Sequence, residues 1–168
     1  LPEKYGIALE RLHGYLDPRM NEGAKTSIGK KLKPGAYFIS ATMLQPVYYS
    51  RENIIFPTQN FSGLWTSKHE EKYQEMKKIA EPLLDAIESA KNDIKRQKEL
   101  LAWFKENRPP EIPEDKAEQF WFEFLAAYDL ARFAKLAKYL RNREPDSHIN
   151  YSIYLFILNE EELRSALK

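Results

Sequence analysis

Tyr73, Met76, Ala80, Leu83, Ile87, Ala90, Ile94 and Leu101 recur at intervals of three and four residues, with only Gln97 interrupting the series. Such a seam lines one side of a helix, so it predicts a long helical element. Ser67-Lys68-His69-Glu70 has the spacing of a capping box and sets the expected start. Pro82 lies within the seam and removes one backbone donor. It is expected to kink or divide the helix, at a cost of about 3 kcal/mol unless packing compensates. Pro109, Pro110 and Pro113 then form a boundary, and Glu114 and Asp115 suit the N-terminus of a following helix. That second helix is predicted over residues 114–141. Phe120, Trp121, Phe124, Leu125, Tyr128, Ala131, Leu136 and Leu140 give it a wide apolar face, and Arg132, Lys135 and Lys138 a polar one. Two helices joined by a Pro-rich turn predict an antiparallel hairpin.

Strand signals flank this middle part. Ala36 to Thr42 is aromatic and β-branched, opens after Pro34-Gly35 and closes before Pro46, which predicts a buried strand. Residues 149–158 begin by alternating and end as a continuous apolar run, the pattern of one strand covered on both faces. Ala8 to Tyr15 is a third candidate strand, ended by Asp17-Pro18. The expected architecture is α/β: a small three-layer-like sheet of about three or more strands, with the long antiparallel helical hairpin inserted before the last strand. At 168 residues the chain suits one domain, with 1–65 and 141–168 forming the sheet core and 66–140 the hairpin.

Composition removes several functions. Twenty-six Lys and Arg against 25 Asp and Glu leave a charge of +1, which offers no field for nucleic acid. Without cysteine there is no thiolate nucleophile or thiolate metal site. His13, His69 and His148 stand far apart, so no metal and no cofactor is expected. Gly29-Lys30-Lys31 lacks the spacing of a phosphate-binding loop. The longest apolar run, Tyr151 to Leu158, falls well short of the roughly 20 residues of a membrane span. Leu1-Pro2-Glu3-Lys4-Tyr5 has neither an initiator Met nor a signal-peptide layout, so the chain is expected to belong to something longer.

Candidate binding residues come from the loops and element ends. Asp17 follows a candidate strand, and ligands of open α/β sheets bind beyond strand ends. Tyr48, Tyr49, Phe56, Phe61 and Trp65 surround Pro57 in a loop-like stretch and are candidates to line a groove. Phe120, Trp121 and Phe124, at helical spacing, read as core. Arg141 and Arg143 complement the dipole of the second helix, and lead through Asp146 and His148 into the last strand.

Three segments taken in order resemble a known family. Leu12-His13-Gly14-Tyr15-Leu16-Asp17-Pro18 is similar to a Tyr-Phe-Gly-x-x-Asp-Pro motif, and Pro34-Gly35-Ala36-Tyr37-Phe38-Ile39-Ser40-Ala41-Thr42-Met43-Leu44-Gln45 to a Pro-Gly-x-x-Ala-Ile-Ser-x-x-x-Leu-Gln-Gly motif. Tyr139-Leu140-Arg141-Asn142-Arg143-Glu144-Pro145 through Ile149-Asn150-Tyr151-Ser152-Ile153-Tyr154 resembles the ending Trp-Leu-Arg…Glu-Pro-Val-Ala-x-Ile-Gly-Tyr-Ser-Ile-Phe-Val-Tyr. These motifs close the soluble C-terminal domain of polytopic glycosyltransferases of the protein O-mannosyltransferase and aminoarabinose transferase type. The resemblance implies an extracytoplasmic domain tethered to its own membrane domain, in an enzyme that takes sugar from a polyprenyl phosphate. Catalysis in such enzymes lies in membrane-domain loops, so no catalytic residue is expected in this chain. Recognition of a glycan or protein acceptor, or assembly, would remain for it. Asp17, Ser40, Gln45, Arg143 and His148, at the motif ends, are the candidate binding residues. A second expectation makes the hairpin a docking device, with Arg132, Lys135 and Lys138, and Arg141 and Arg143 beyond, meeting anionic lipid headgroups or a partner helix.

Overall fold

The computed structural model describes residues 31–45, 65–150 and 152–168. Strand β1 (Gly35–Ser40) runs into the short helix α1 (Ala41–Leu44). Helices α2 (Ser67–Ala90) and α3 (Ile94–Glu106), a 3-10 turn at Glu114–Lys116 and α4 (Ala117–Leu140) follow. The chain then makes β2 (Ser147–Ile149), β3 (Ile153–Leu158) and α5 (Glu160–Leu167). The fold is α/β as expected, with the helices inserted between β1 and the last two strands. The candidate strand at Ala8 to Tyr15 lies outside the described residues.

The hairpin differs from the expectation at three points, each with a local cause. Thr66, one residue before Ser67, caps α2, and His69 closes the capping box by accepting the Thr66 N–H at 3.1 Å. Glu70 is thereby released for other partners. The helix continues through the exposed Pro82 and divides instead at Lys91–Asp93. There the Asp93 carboxylate accepts from the Lys95 and Arg96 N–H groups, while the Gln97 amide donates to the Ala90 and Lys91 carbonyls. These side chains satisfy the open ends of both helices, which makes the break stable. The seam is lost beyond it: Ile94 is 72% and Leu101 43% exposed, and α3 buries Phe104 instead. The helical insertion is therefore three helices rather than two. Glu70 meets Lys135 and Tyr73 stacks on Tyr128, an order of pairing that makes α2 and α4 antiparallel.

The strands are shorter than expected. β1 stops at Ser40 because its hydroxyl accepts the Met43 N–H and starts α1. Residues 147–158 form a hairpin instead of one strand: Asn150 takes φ 47°, a left-handed conformation that Asn tolerates, and the Ser152 N–H donates to the Ile149 carbonyl. The sheet is antiparallel in the order β1-β3-β2, with Tyr37 opposite Phe156 and Ser40 opposite Ile153. Among the described residues, both main strands are covered on one face alone, a correction to the buried strands expected above. Tyr37, Ile39, Phe156 and Leu158 face inward, whereas Phe38, Ile153 and Ile157 remain exposed.

Two cores result, and α4 serves both. Its residues from Phe120 to Ala134 join Tyr73, Met76, Leu83, Leu84 and Phe104 in a helical core. Leu136, Ala137 and Leu140 complete a second core with the sheet's inner face, Leu163 and Ala166. A helix enclosed in this way is buried on most sides, and α4 is, with Asp129, Arg132 and Lys135 as its buried charged members.

Candidate functional site

The second and third motif segments meet at one end of the sheet. The Ala41 N–H donates to the Ser152 carbonyl at 2.8 Å, and Arg141 Nη1 donates to the Leu44 carbonyl at 2.9 Å. Arg141 thus ties α1 to the end of α4. Among the candidate residues here, Ser40 serves as the cap of α1 and Gln45 lies exposed just beyond it. Arg143 is anchored on several sides: Nη1 to Asp146 at 2.9 Å, Nη2 to the Ile157 carbonyl at 3.1 Å, Nε to Glu162 at 3.3 Å, with its guanidinium over the Phe156 ring. The Ile157 N–H, with Arg143 beside it, holds the Asp146 carboxyl below its ordinary range. Arg143 is thereby fixed as a staple between the α4–β2 turn and β3, and His148 lies on β2, opposite Tyr154. Asp17, Tyr48, Tyr49, Phe56 and Phe61 lie outside the described residues.

A second constellation sits between α2, α4 and the chain's last residues. Glu70 accepts from Trp65 Nε1 at 2.9 Å, Gln74 Nε2 at 2.8 Å and Lys135 Nζ at 2.5 Å. Burial opposes its ionised form, but these bonds and the Lys135 charge prevail and bring its carboxyl down to about 2. Lys135 also lies 4.4 Å from the centre of the Tyr73 ring. Arg132 bonds Asp129 and sits over Tyr128. Burial raises both tyrosines above the ordinary phenol, Tyr128 to about 12.

This geometry corrects the docking face expected on the second helix. Arg132 and Lys135 are each only 8% exposed and are committed to carboxylates inside the molecule, leaving Lys138 as the exposed member of the trio. Trp65, expected in a surface groove, is half-buried, with its indole N–H on Glu70 and its edge toward Tyr73. The Asp129–Arg132 pair was available to sequence reading as an i, i+3 spacing. Lys135 and Glu70 carry no such signal, since 65 positions separate them.

The low Glu70 value implies a pH dependence. Its folded carboxyl lies below the unfolded value of about 4.3, so the stabilisation is present above about pH 4.3 and is lost as pH falls through about 2. The carboxylate is 37% exposed, and solvent screening reduces the contribution to about 1–2 kcal/mol. Urea unfolding between pH 2 and pH 6 is expected to show this loss, and Glu70→Gln to flatten the same interval.

Among the described residues no group of three or more His, Asp or Glu side chains is placed to hold a metal ion, and no helix is long and apolar enough to cross a membrane. The carboxylates of both constellations are engaged by Arg132, Lys135 and Arg143, and Arg141 is engaged by the Leu44 carbonyl. The outer sheet face has a different character: Phe38, Ile149 and Ile157 are about half exposed, Ile153 is 37% exposed, and Leu155 lies beside Phe38. Comparison with protein-family models, curated proteins and solved structures finds no match.

Proposed function

We propose that this chain is a noncatalytic, extracytoplasmic domain of a membrane glycosyltransferase that uses a polyprenyl-phosphate-linked sugar, and that it contributes acceptor recognition or assembly with its own membrane domain. The observation that carries this reading is the meeting of two motif segments about a hundred residues apart in sequence. Residues 34–45 and 139–154 resemble motifs of those enzymes, and Arg141, Ala41 and the β1–β3 register join them. Most of the inserted helical residues pack in a core of their own, and only the last turns of α4 enter the core of the motif region. Engagement of Arg132 and Lys135 inside the molecule argues for the sheet end, with exposed Gln45 at its edge, as the working surface in place of the hairpin.

Reading the gene upstream of Leu1 tests the assignment. About ten or more apolar spans of roughly 20 residues each are expected. In the full-length enzyme, Gln45→Ala is expected to lower sugar transfer to acceptor at normal expression. An upstream sequence without such spans removes the transferase reading; unchanged transfer removes the role of Gln45 in acceptor recognition.

A further inference from the structure

Among the described residues α5 is attached by a few side-chain hydrogen bonds and by the packing of Leu163, Ala166 and Leu167. It follows β3 after Asn159 alone, whose side chain accepts the Glu162 N–H at 2.9 Å while Glu162 accepts the Asn159 N–H at 2.9 Å. This capping box makes the start of α5 self-sufficient. Only Leu163 and Ala166 are buried, against the end of α4 and the sheet. Its far end is held by α2: Tyr73 Oη donates to the Leu167 carbonyl at 3.1 Å, Lys77 Nζ to the same carbonyl at 2.9 Å, and Gln74 Nε2 to the Lys168 carbonyl at 2.7 Å. The last carbonyls of a helix have no partners within it, and here three side chains of another helix supply them. Arg143 adds a fourth tie through Glu162.

We propose that α5 is a clasp that opens independently of the rest of the fold. A helix of eight residues is not stable by itself, so its order depends on these attachments, and its buried apolar surface is small beside that of α4. Among the described residues, opening it costs the hydrogen bonds above and the packing of Leu163, Ala166 and Leu167, whereas opening α4 dismantles both cores. When the clasp lifts, it uncovers the Leu136–Leu140 strip of α4 and removes the α5 carbonyls from the Tyr73 hydroxyl, the Lys77 ammonium and the Gln74 amide, which keep their contacts to Tyr128, Glu81 and Glu70. A groove with apolar walls and three donors at one end is then presented, with α5 as its resident occupant.

Native-state hydrogen exchange on the full chain tests this. Amides of residues 164–168 are expected to exchange at least about tenfold faster than those of residues 128–140. Tyr73→Phe, which keeps the ring and removes the bonds to the Leu167 carbonyl and to Tyr128, is expected to speed exchange in α5 a further fivefold or so, with a smaller effect on α4 around Tyr128. Lys77→Met, at the edge of the groove, is expected to act in the same direction. Equal exchange rates in α4 and α5, or acceleration of both elements alike by these variants, would overturn the clasp and make α5 part of the common cooperative unit.

Discussion

Asp129→Ala is expected to lower the unfolding free energy by about 3–5 kcal/mol, because it leaves the Arg132 guanidinium buried without its carboxylate. Asp129 is 3% and Arg132 8% exposed, so water reaches neither well enough to replace the lost partner. The Tyr128 ring under Arg132 contributes a cation–π contact that remains in the variant, but a ring face satisfies none of the guanidinium N–H groups. The double variant Asp129→Ala/Arg132→Met is therefore expected to recover most of the loss, since it removes the stranded charge and fills the space with an apolar chain. Equilibrium urea unfolding of the two single variants and the double variant measures the coupling. Equal, additive losses would show that the two side chains act separately and that the charge is not what makes the site costly to break.

Phe156→Ala is the second large effect expected, about 3–5 kcal/mol. The side chain is 1% exposed, stands opposite Tyr37 in the sheet, and lies beneath the Arg143 guanidinium. Its deletion leaves a cavity at the junction of sheet, α4 and α5, and the staple made by Arg143 loses its floor. The next residue gives an internal control. Ile157 is 55% exposed on the outer face, and Ile157→Ala is expected to change stability by about 0.5 kcal/mol or less. Thermal and urea unfolding of both variants checks the contrast. Similar losses at the two positions would mean that the outer face is covered as the inner one is.

The contrast between these neighbours bears on what could be read from the sequence. The run from Tyr154 to Leu158 has apolar residues at every position, so it indicates a strand without indicating which face is open. Alternation is the signal for a half-covered strand, and Ile153, Leu155 and Ile157 conceal it by being apolar on the outer side. The helices were more legible. Tyr73, Met76, Ala80 and Leu83 follow the seam into the core, and Phe120, Trp121 and Phe124 are buried as their spacing indicates. The seam misleads at Lys91–Asp93, where cap chemistry local to three residues outweighs a periodicity sustained over eight positions. For the candidate site the obstacle is distance. Arg132 and Lys135 look like a solvated face when only their own helix is considered, and Glu70 looks like a cap. Lys135 changes meaning once α2 is laid beside α4, because its partner comes from another element.

The sharing of α4 also sets limits on how this domain can change over generations. Residues 66–140 look like a cassette, a length of chain that could be lengthened, shortened or exchanged between relatives. Yet Leu136, Ala137 and Leu140, inside that interval, are three of the ten buried residues that form the sheet core among the described residues. Any exchange that replaces the whole interval must therefore supply a last helical turn that fits Tyr37, Phe156 and Leu163. Freedom to vary is greatest in α3 and the first part of α4, since α2 also holds the end of α5 through Tyr73, Gln74 and Lys77. The true seam for recombination falls within a helix, near Phe133, which touches both cores.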